Sequence, residues 1–423
     1  MTLCNIIFSQ TLKIEGNIQD QQGNIIAYAN IYTKHYHIGT ISNNNGGFFI
    51  NIPTVYKNDT LCISYIGYKD TLISLSEISD KKFINIILQQ DKVYLHDVII
   101  SEKKINPNNI VKKIYKCIDD NYPINNYLLG IYIRKYVKNN KTNKFVYLNE
   151  LSGKSYNESK EYNIGNKFKF IDIRDINKGV NVPIQKKDTI NSESYTMLNS
   201  LYLIYNLKSI ITQLKKYPAR IDTVFYSNKK KIMVLSISND SLIYDKFDNI
   251  DCNELILGKK KIEDTKKGTF FLKMTVDINN NYKIIQYEIY QKYDGLWMLN
   301  VEQEYKVYKF QEINGYYYPS IFSSYAKMIF PHNNDTSYYS VFSQCMVNNI
   351  ILDTTLTKKQ RKEYVPIINF RSSLLLELNN NKEKKKIYWE NYNFIKDDEI
   401  RDRVIKDLMK KKPTFFNLRT PPK

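Results

Sequence analysis

Four histidines, five cysteines and a few closely spaced carboxylates are the residues through which this chain could do covalent or metal chemistry. His35 and His37 form an H-x-H pair. Side chains at i and i+2 of an extended segment project from one side, so the pair could hold a metal. A polar loop explains the same residues more simply. A zinc peptidase needs a histidine and a carboxylate at helical spacing, a third ligand and a catalytic glutamate. No histidine here begins an H-x-x-E pair, His96 included. His332 to Asp335 reads H-x-x-D, but it follows Pro331 in an asparagine-rich turn rather than lying on a helix. Cys4, Cys62, Cys117, Cys252 and Cys345 are far apart and never form C-x-x-C. Neither a disulfide framework nor a structural zinc site follows from that spacing. Cys62 and Cys117 sit among apolar neighbours and read as small core residues. A serine nucleophile would need a G-x-S-x-G elbow, and nucleotide chemistry a P-loop or G-x-G-x-x-G; the sequence has none of these. Glu302 and Glu304 share a strand face, as a glycosidase pair would, but such a face is ordinarily solvated. Tyr316-Tyr317-Tyr318 and Tyr338-Tyr339 could stack on a sugar or lipid, or pack at a sheet edge. Packing is the reading preferred here. No catalytic, cofactor-binding or metal-ligating residue can be named, so a chain without enzyme activity or cofactor is expected.

The elements that would position such residues are mostly strands. A length of 423 residues suggests about two or three domains. The 43% hydrophobic content is enough for real cores. Tyr and Phe number 36 and 19, against 14 Gly and 11 Pro, and aromatic abundance favours strands. The Ile, Asn, Lys and Tyr bias also fits AT-rich codons. Net charge is +19, with short clusters at 229–231, 259–261 and 384–386. Such a charge suits nucleic acid or anionic lipid. No zinc finger, recognition helix or RNA-binding signature accompanies it, so nucleic acid is not expected as a partner. No stretch reaches transmembrane-helix length. Residues Leu3 to Phe8 are apolar and lead into Ser9-Gln10. They read as the tail of a secretory signal whose basic start and most of whose apolar core are missing.

The N-terminal pattern is punctuated by turns. Gly16 to Asp20, Gly23, Ala29 to Tyr32, Gly39 to Asn43 and Gly47 to Ile50 follow in order. Asp20 to Gly23 is a turn that needs positive φ, and Phe48 and Ile50 alternate into a core. Strands are expected at 12–19, 29–33, 47–52, 60–65, 69–75 and 83–88. Ser64-Tyr65-Ile66-Gly67-Tyr68 makes the turn between two late strands, and Leu95 to Ile100 is a strand-like tail. This order resembles the carboxypeptidase-regulatory-like domain. The resemblance implies a small prealbumin-like β-sandwich, itself non-catalytic although it accompanies zinc carboxypeptidases. It also implies an envelope protein of Bacteroidota type.

Beyond a polar linker at 101–109, Ile110, Ile114, Cys117 and Ile118 fall on one face of a helix that Asn121-Tyr122-Pro123 stops. An aromatic strand with Tyr132, Arg134, Lys135 and Tyr136 follows. This order resembles the second domain of envelope proteins that carry the sandwich. Leu203, Leu207, Ile210, Ile211 and Leu214 keep helical spacing. From Ala219 the chain reads as a long antiparallel meander, with strands at 231–238, 269–276, 282–292, 299–310, 316–329 and 338–347. Asn239-Asp240, Asn279 to Asn281, Asp294-Gly295, Asn314-Gly315 and Asn333 to Asp335 separate them. A curved sheet with one wet face is expected. A last helix is capped by Asp397 or Asp398 and lined by Ile400, Val404 and Leu408.

The expectation is a mainly β protein: an N-terminal prealbumin-like β-sandwich, then a larger antiparallel β-sheet domain with a few helices. Its parts are a signal remnant at 1–10, the sandwich at 11–90 and a tail and linker at 91–107. The β domain spans 108–412, and a tail 413–423. The expected role is a non-catalytic interaction or spacer module joined to a binding domain. It would lie in the periplasm or on the periplasmic face of the outer membrane, with a protein partner there. Two alternatives stay open. A lipid or lipoprotein carrier demands a large apolar cavity. A hydrolase demands acidic or His–carboxylate pairs converging in a cleft.

Overall fold

The computed structural model describes residues 11–91, 93–94, 106–123, 125–157, 167–173, 203–240, 251–261, 265–293, 301–332, 335–366 and 388–409. The signal-like residues, the Leu95 to Ile100 tail with His96, and the 384–386 lysines lie outside them.

Seven strands build the N-terminal unit: β1 (Thr11–Asp20), β2 (Asn30–Thr33), β3 (Gly39–Ile41), β4 (Gly47–Pro53), β5 (Thr60–Ser64), β6 (Thr71–Ser74) and β7 (Phe83–Leu88). They form two sheets, ordered β4-β1-β7 and β3-β2-β5-β6. Strand β1 buries Leu12, Ile14 and Ile18 and exposes Lys13, Glu15 and Asn17, the period-2 alternation of a half-buried strand. Ile14, Ile31, Phe48, Ile50, Leu61 and Ile63 meet as a sandwich core. Gly16 is required there, because a Cβ would collide with the Ile84 carbonyl and the Phe48 ring. The strand expected at 69–75 is shorter, since Leu75–Ile78 turns helically and buries Leu75 and Ile78. The β1–β7 pair is parallel, an arrangement that side-chain alternation does not encode.

A single 12-stranded sheet carries the rest. Its strands are β8 (Val93–Tyr94), β9 (Tyr127–Asn139), β10 (Lys144–Asn157), β11 (Lys167–Ile173), β12 (Ala219–Ser227), β13 (Lys230–Ser238), β14 (Phe270–Asp277), β15 (Lys283–Lys292), β16 (Val301–Ile313), β17 (Tyr316–His332), β18 (Asp335–Ile351) and β19 (Val365–Pro366). From β12 to β18 it is the expected meander. A second run, β9 to β11, joins it where β9 pairs with β18. Strands β10 and β11 escape sequence reading. Strand β10 is buried on both faces with Asn149, Glu150, Ser152 and Ser155 among its buried residues, which erases the alternation. Asn314-Gly315 makes the expected tight hairpin, with φ of 51° and 81°. Asn228-Lys229 makes another, at 49° and 63°, inside what composition shows as a basic cluster. Asn239-Asp240 makes no hairpin, because a helix lies between β13 and β14.

Four helices matter: α1 (Pro107–Asn121), α2 (Leu203–Leu214), α3 (Cys252–Leu257) and α4 (Glu399–Met409). Helix α1 starts at Asn106, whose side chain accepts from the Asn108 amide. Helices α1 and α2 cover one sheet face, packing Ile110, Ile114, Ile118, Leu207 and Ile211 against Ile131, Leu235, Met274 and Tyr287. Helices α3 and α4 cover the other, with Leu255, Ile256, Ile400 and Val404 on Tyr136, Phe145, Tyr290 and Tyr305. The sheet therefore lacks the single wet face expected of it. Helix spacing alone does not say which sheet face a helix will cover.

Helix α4 is fixed by buried charge. Glu150 is fully buried on β10 and lies between two arginines. The Arg134 Nε is 3.2 Å from Glu150 Oε1, and the Arg401 Nη2 is 3.2 Å from Oε2. Tyr132 donates its hydroxyl to the same carboxylate at 2.5 Å. Arg134 also donates to the Ile395 carbonyl at 2.8 Å, and Arg401 pairs with Asp397 at 2.8 Å. Asp398 caps α4 by accepting from the Arg401 amide at 2.9 Å. Removing one member of such a buried set leaves charge uncompensated. Glu150→Gln should lower the unfolding free energy in urea by about 3–5 kcal/mol. Lys396→Gln, which breaks the more exposed Lys396–Glu15 pair, should cost less than about 1 kcal/mol.

Candidate functional site

The sandwich is fastened to the large sheet at two places, and a cleft lies between the two units. At one place the Asn393 side chain accepts from the Asn51 amide at 2.7 Å and donates to its carbonyl at 3.1 Å. Asn43 donates nearby to the carbonyls of Lys396 and Asp397, both at 3.3 Å. At the other, the Asn228 hairpin turn donates its amide to Asp91 at 2.6 Å and its side chain to the Tyr68 carbonyl at 2.7 Å. Strand β8 pairs with β12 there.

The cleft has a volume of about 470 Å³. Tyr28, Asn30, Ser64, Tyr65 and Ile66 line it from the sandwich; Phe225, Val234, Lys273, Thr275, Ile285, Gln286 and Lys309 are among the sheet residues opposite. Ile66 packs with Phe225 and Val234, which makes one wall apolar. Lys309 Nζ lies 5.2 Å from the Tyr65 ring centre and 5.7 Å from that of Tyr28, within cation–π range. The Asp222 carboxylate, also on the cleft, pairs with Arg220 at 2.7 Å and accepts the Ser236 hydroxyl. Glu288, on the same face of β15 as Gln286, accepts from Gln286 at 2.8 Å and from the Tyr305 hydroxyl. Tyr28 holds φ at 60°, a conformation that side chains rarely adopt. Its hydroxyl is buried with no hydrogen-bond partner among the described residues, and burial raises its pKa well above the usual value.

From sequence, Ser64, Tyr65 and Ile66 read only as a turn and Asn30 only as part of a strand; no cleft residue reads as a binding residue. Lys309 and Lys273 are two of many lysines, and only strand register and the docked sandwich bring them near Tyr28. The residues that were singled out lie elsewhere. His35 and His37 do not converge as a ligand pair: His37 takes φ of 52°, which breaks the extended geometry that would align them. His35 Nδ1 meets Asp59 at 2.7 Å, while the His37 carbonyl accepts from Ile350 at 3.3 Å, inside the contact between sandwich and sheet. Glu302 pairs with Lys327 at 2.9 Å; Glu304 pairs with Lys306 at 2.6 Å and accepts the Tyr293 hydroxyl at 2.7 Å. Tyr317, Tyr318 and Tyr339 are buried and pack, while Tyr316 and Tyr338 are exposed. Cys62, Cys252 and Cys345 are buried free thiols, and Cys117 is half-buried. The side chain of His332 lies outside the described set. Among the described residues no three His, Cys, Asp or Glu side chains gather as a metal site.

Burial lowers the His37 pKa below its ordinary 6.5, opposed by Asp59 and reinforced by His35. A depressed histidine pKa means that the unfolded chain takes up the proton first, so stability falls as pH drops below the unfolded value. Melting temperature should therefore decline between about pH 7 and pH 5, and His37→Asn should flatten that decline in a thermal-unfolding series.

A scan against family models matches residues 14–100 to the CarboxypepD_reg-like domain. No curated protein matches the sequence. Solved structures give faint likenesses. An outer membrane lipoprotein-sorting protein domain from Vibrio parahaemolyticus is 9% identical, covering 60% of this chain and 96% of that one, at a TM-score of 0.26. A DUF1329 family protein from Desulfovibrio piger is 10% identical with the same coverages, at 0.25. The MucA/MucB complex of Pseudomonas aeruginosa is 6% identical, covering 59% and 99%, at 0.18. The seven-stranded sandwich at the N-terminus of this chain is a CarboxypepD_reg-like domain.

Proposed function

We propose that this chain is a non-catalytic cell-envelope binding protein, acting in the periplasm or on the periplasmic face of the outer membrane. Its sandwich is an interaction module, and the β domain supplies most of the binding surface. The observation that carries this reading is the cleft of about 470 Å³ between the two units. Such a volume suits a small ligand, and clefts between domains are where binding sites gather. The sandwich is fastened by Asn393, Asn43 and Asn228, which supports a preformed site rather than two units on a loose tether. A protein of the outer membrane or periplasm is the expected partner, in outer-membrane assembly or transport. The lipid-carrier alternative draws less support, because Lys273, Lys309, Asp222, Asn30 and Gln286 line the space. The hydrolase alternative would need free acids, whereas Asp222 is held by Arg220 and Ser236. No helix among the described residues is long and apolar enough to cross a membrane.

Fractionating the native host and sequencing the mature N-terminus tests the placement. Recovery with the periplasm or outer membrane, with processing near Gln10, is the expected result. An unprocessed chain in the cytoplasm would sink the envelope reading.

A further inference from the structure

We propose that the cleft between the sandwich and β12–β16 binds a small organic oxyanion, a carboxylate or phosphate ester with an apolar body, and that Lys309 is its charge partner. This rests on the binding reading above and adds the ligand class. Lys309 stands in the cleft wall with its ammonium facing the rings of Tyr65 and Tyr28. No carboxylate pairs with it among the described residues. Two nearby acids are engaged elsewhere, Asp222 with Arg220 and Ser236 and Glu288 with Gln286 and Tyr305, while Asp251 and Asp398 act on the buried Tyr28 hydroxyl. A half-buried cation that has lost part of its water and lacks a counter-ion gains when an anion enters.

The rest of the cleft fits the other half of such a ligand. Phe225, Val234 and Ile285 offer apolar surface, and the available volume is that of a small molecule. Tyr28 adds two features common at binding sites. Its backbone is held in a costly conformation, and its buried hydroxyl lacks a partner among the described residues. The ring itself packs against the cluster of Ile41, Tyr132, Met346, Trp389 and Ile395.

Calorimetric titration of the full chain with hexanoate, phenyl phosphate and the neutral control hexanol tests this, each at millimolar concentration. Hexanoate or phenyl phosphate should bind and hexanol should not. Binding by hexanoate alone assigns a carboxylate ligand; binding by phenyl phosphate alone assigns a phosphate ester. Lys309→Met should weaken binding about tenfold or more, and Lys309→Arg should retain it. Melting curves of both variants establish that they fold. The proposal is overturned by binding of neither anion, by equal binding of hexanol, or by unchanged affinity in folded Lys309→Met protein. The outcome is independent of location: an envelope protein can fail this titration, and a cytoplasmic one can pass it.

Discussion

The carboxylate of Glu150, buried between Arg134 and Arg401, is the contact on which the rest of the arrangement depends. An ion that far from water is tolerated only with close counter-charges and full hydrogen bonding. Arg134 lies on β9, Glu150 on β10 and Arg401 on α4. The network therefore dictates where the C-terminal segment must lie. Apolar packing alone would let α4 slide along the sheet. Charge complementarity requires Arg401 to reach Glu150 and Asp397 together.

That placement extends to the N-terminal unit. The chain just before α4 carries Asn393, which satisfies both backbone groups of Asn51, and its carbonyls at Lys396 and Asp397 receive Asn43. Trp389 and Ile395 pack there with Ile41, Tyr132 and Met346. The segment thus lies between sandwich and sheet and touches both. With the Asn228 turn holding a second place, the two units are spaced apart over β12 to β16. The cleft lies where the two units face each other, and its lining is decided by register rather than by a local motif.

Most of the sandwich was legible because β1 alternates cleanly and Gly23, Gly46 and Gly67 hold positive φ in its turns; β3, three residues all buried, was not expected as a strand. The meander from β12 to β18 was legible for the same reason at Asn314-Gly315 and at Asn281. Three further features were not. Strand β10 carries buried Glu150 and Ser152 where alternation would put apolar residues. The β1–β7 pairing is parallel and spans the whole unit. The cleft draws on Tyr28 and Lys309, which are far apart in sequence. One faint signal was available: Arg134 shares a strand face with Tyr132 and Tyr136. A lone cation between buried aromatics on an apolar strand requires an anion somewhere in the fold.

The +19 charge acquires a different meaning from this architecture. Several lysines are consumed inside the molecule rather than presented to a polyanion. Lys138 donates to the Ile256 carbonyl at the end of α3, Lys283 to Gly315, and Lys292 to Thr265. A carbonyl at a helix end or turn has lost its backbone donor, and a long flexible ammonium can reach it while its stem packs on apolar surface. Lys230 pairs with the half-buried Glu312. These lysines serve as links between the elements they join. Against that background a lysine is informative by its surroundings, not its charge. Lys309 differs from these four because it lines a cavity, with the rings of Tyr65 and Tyr28 beside it.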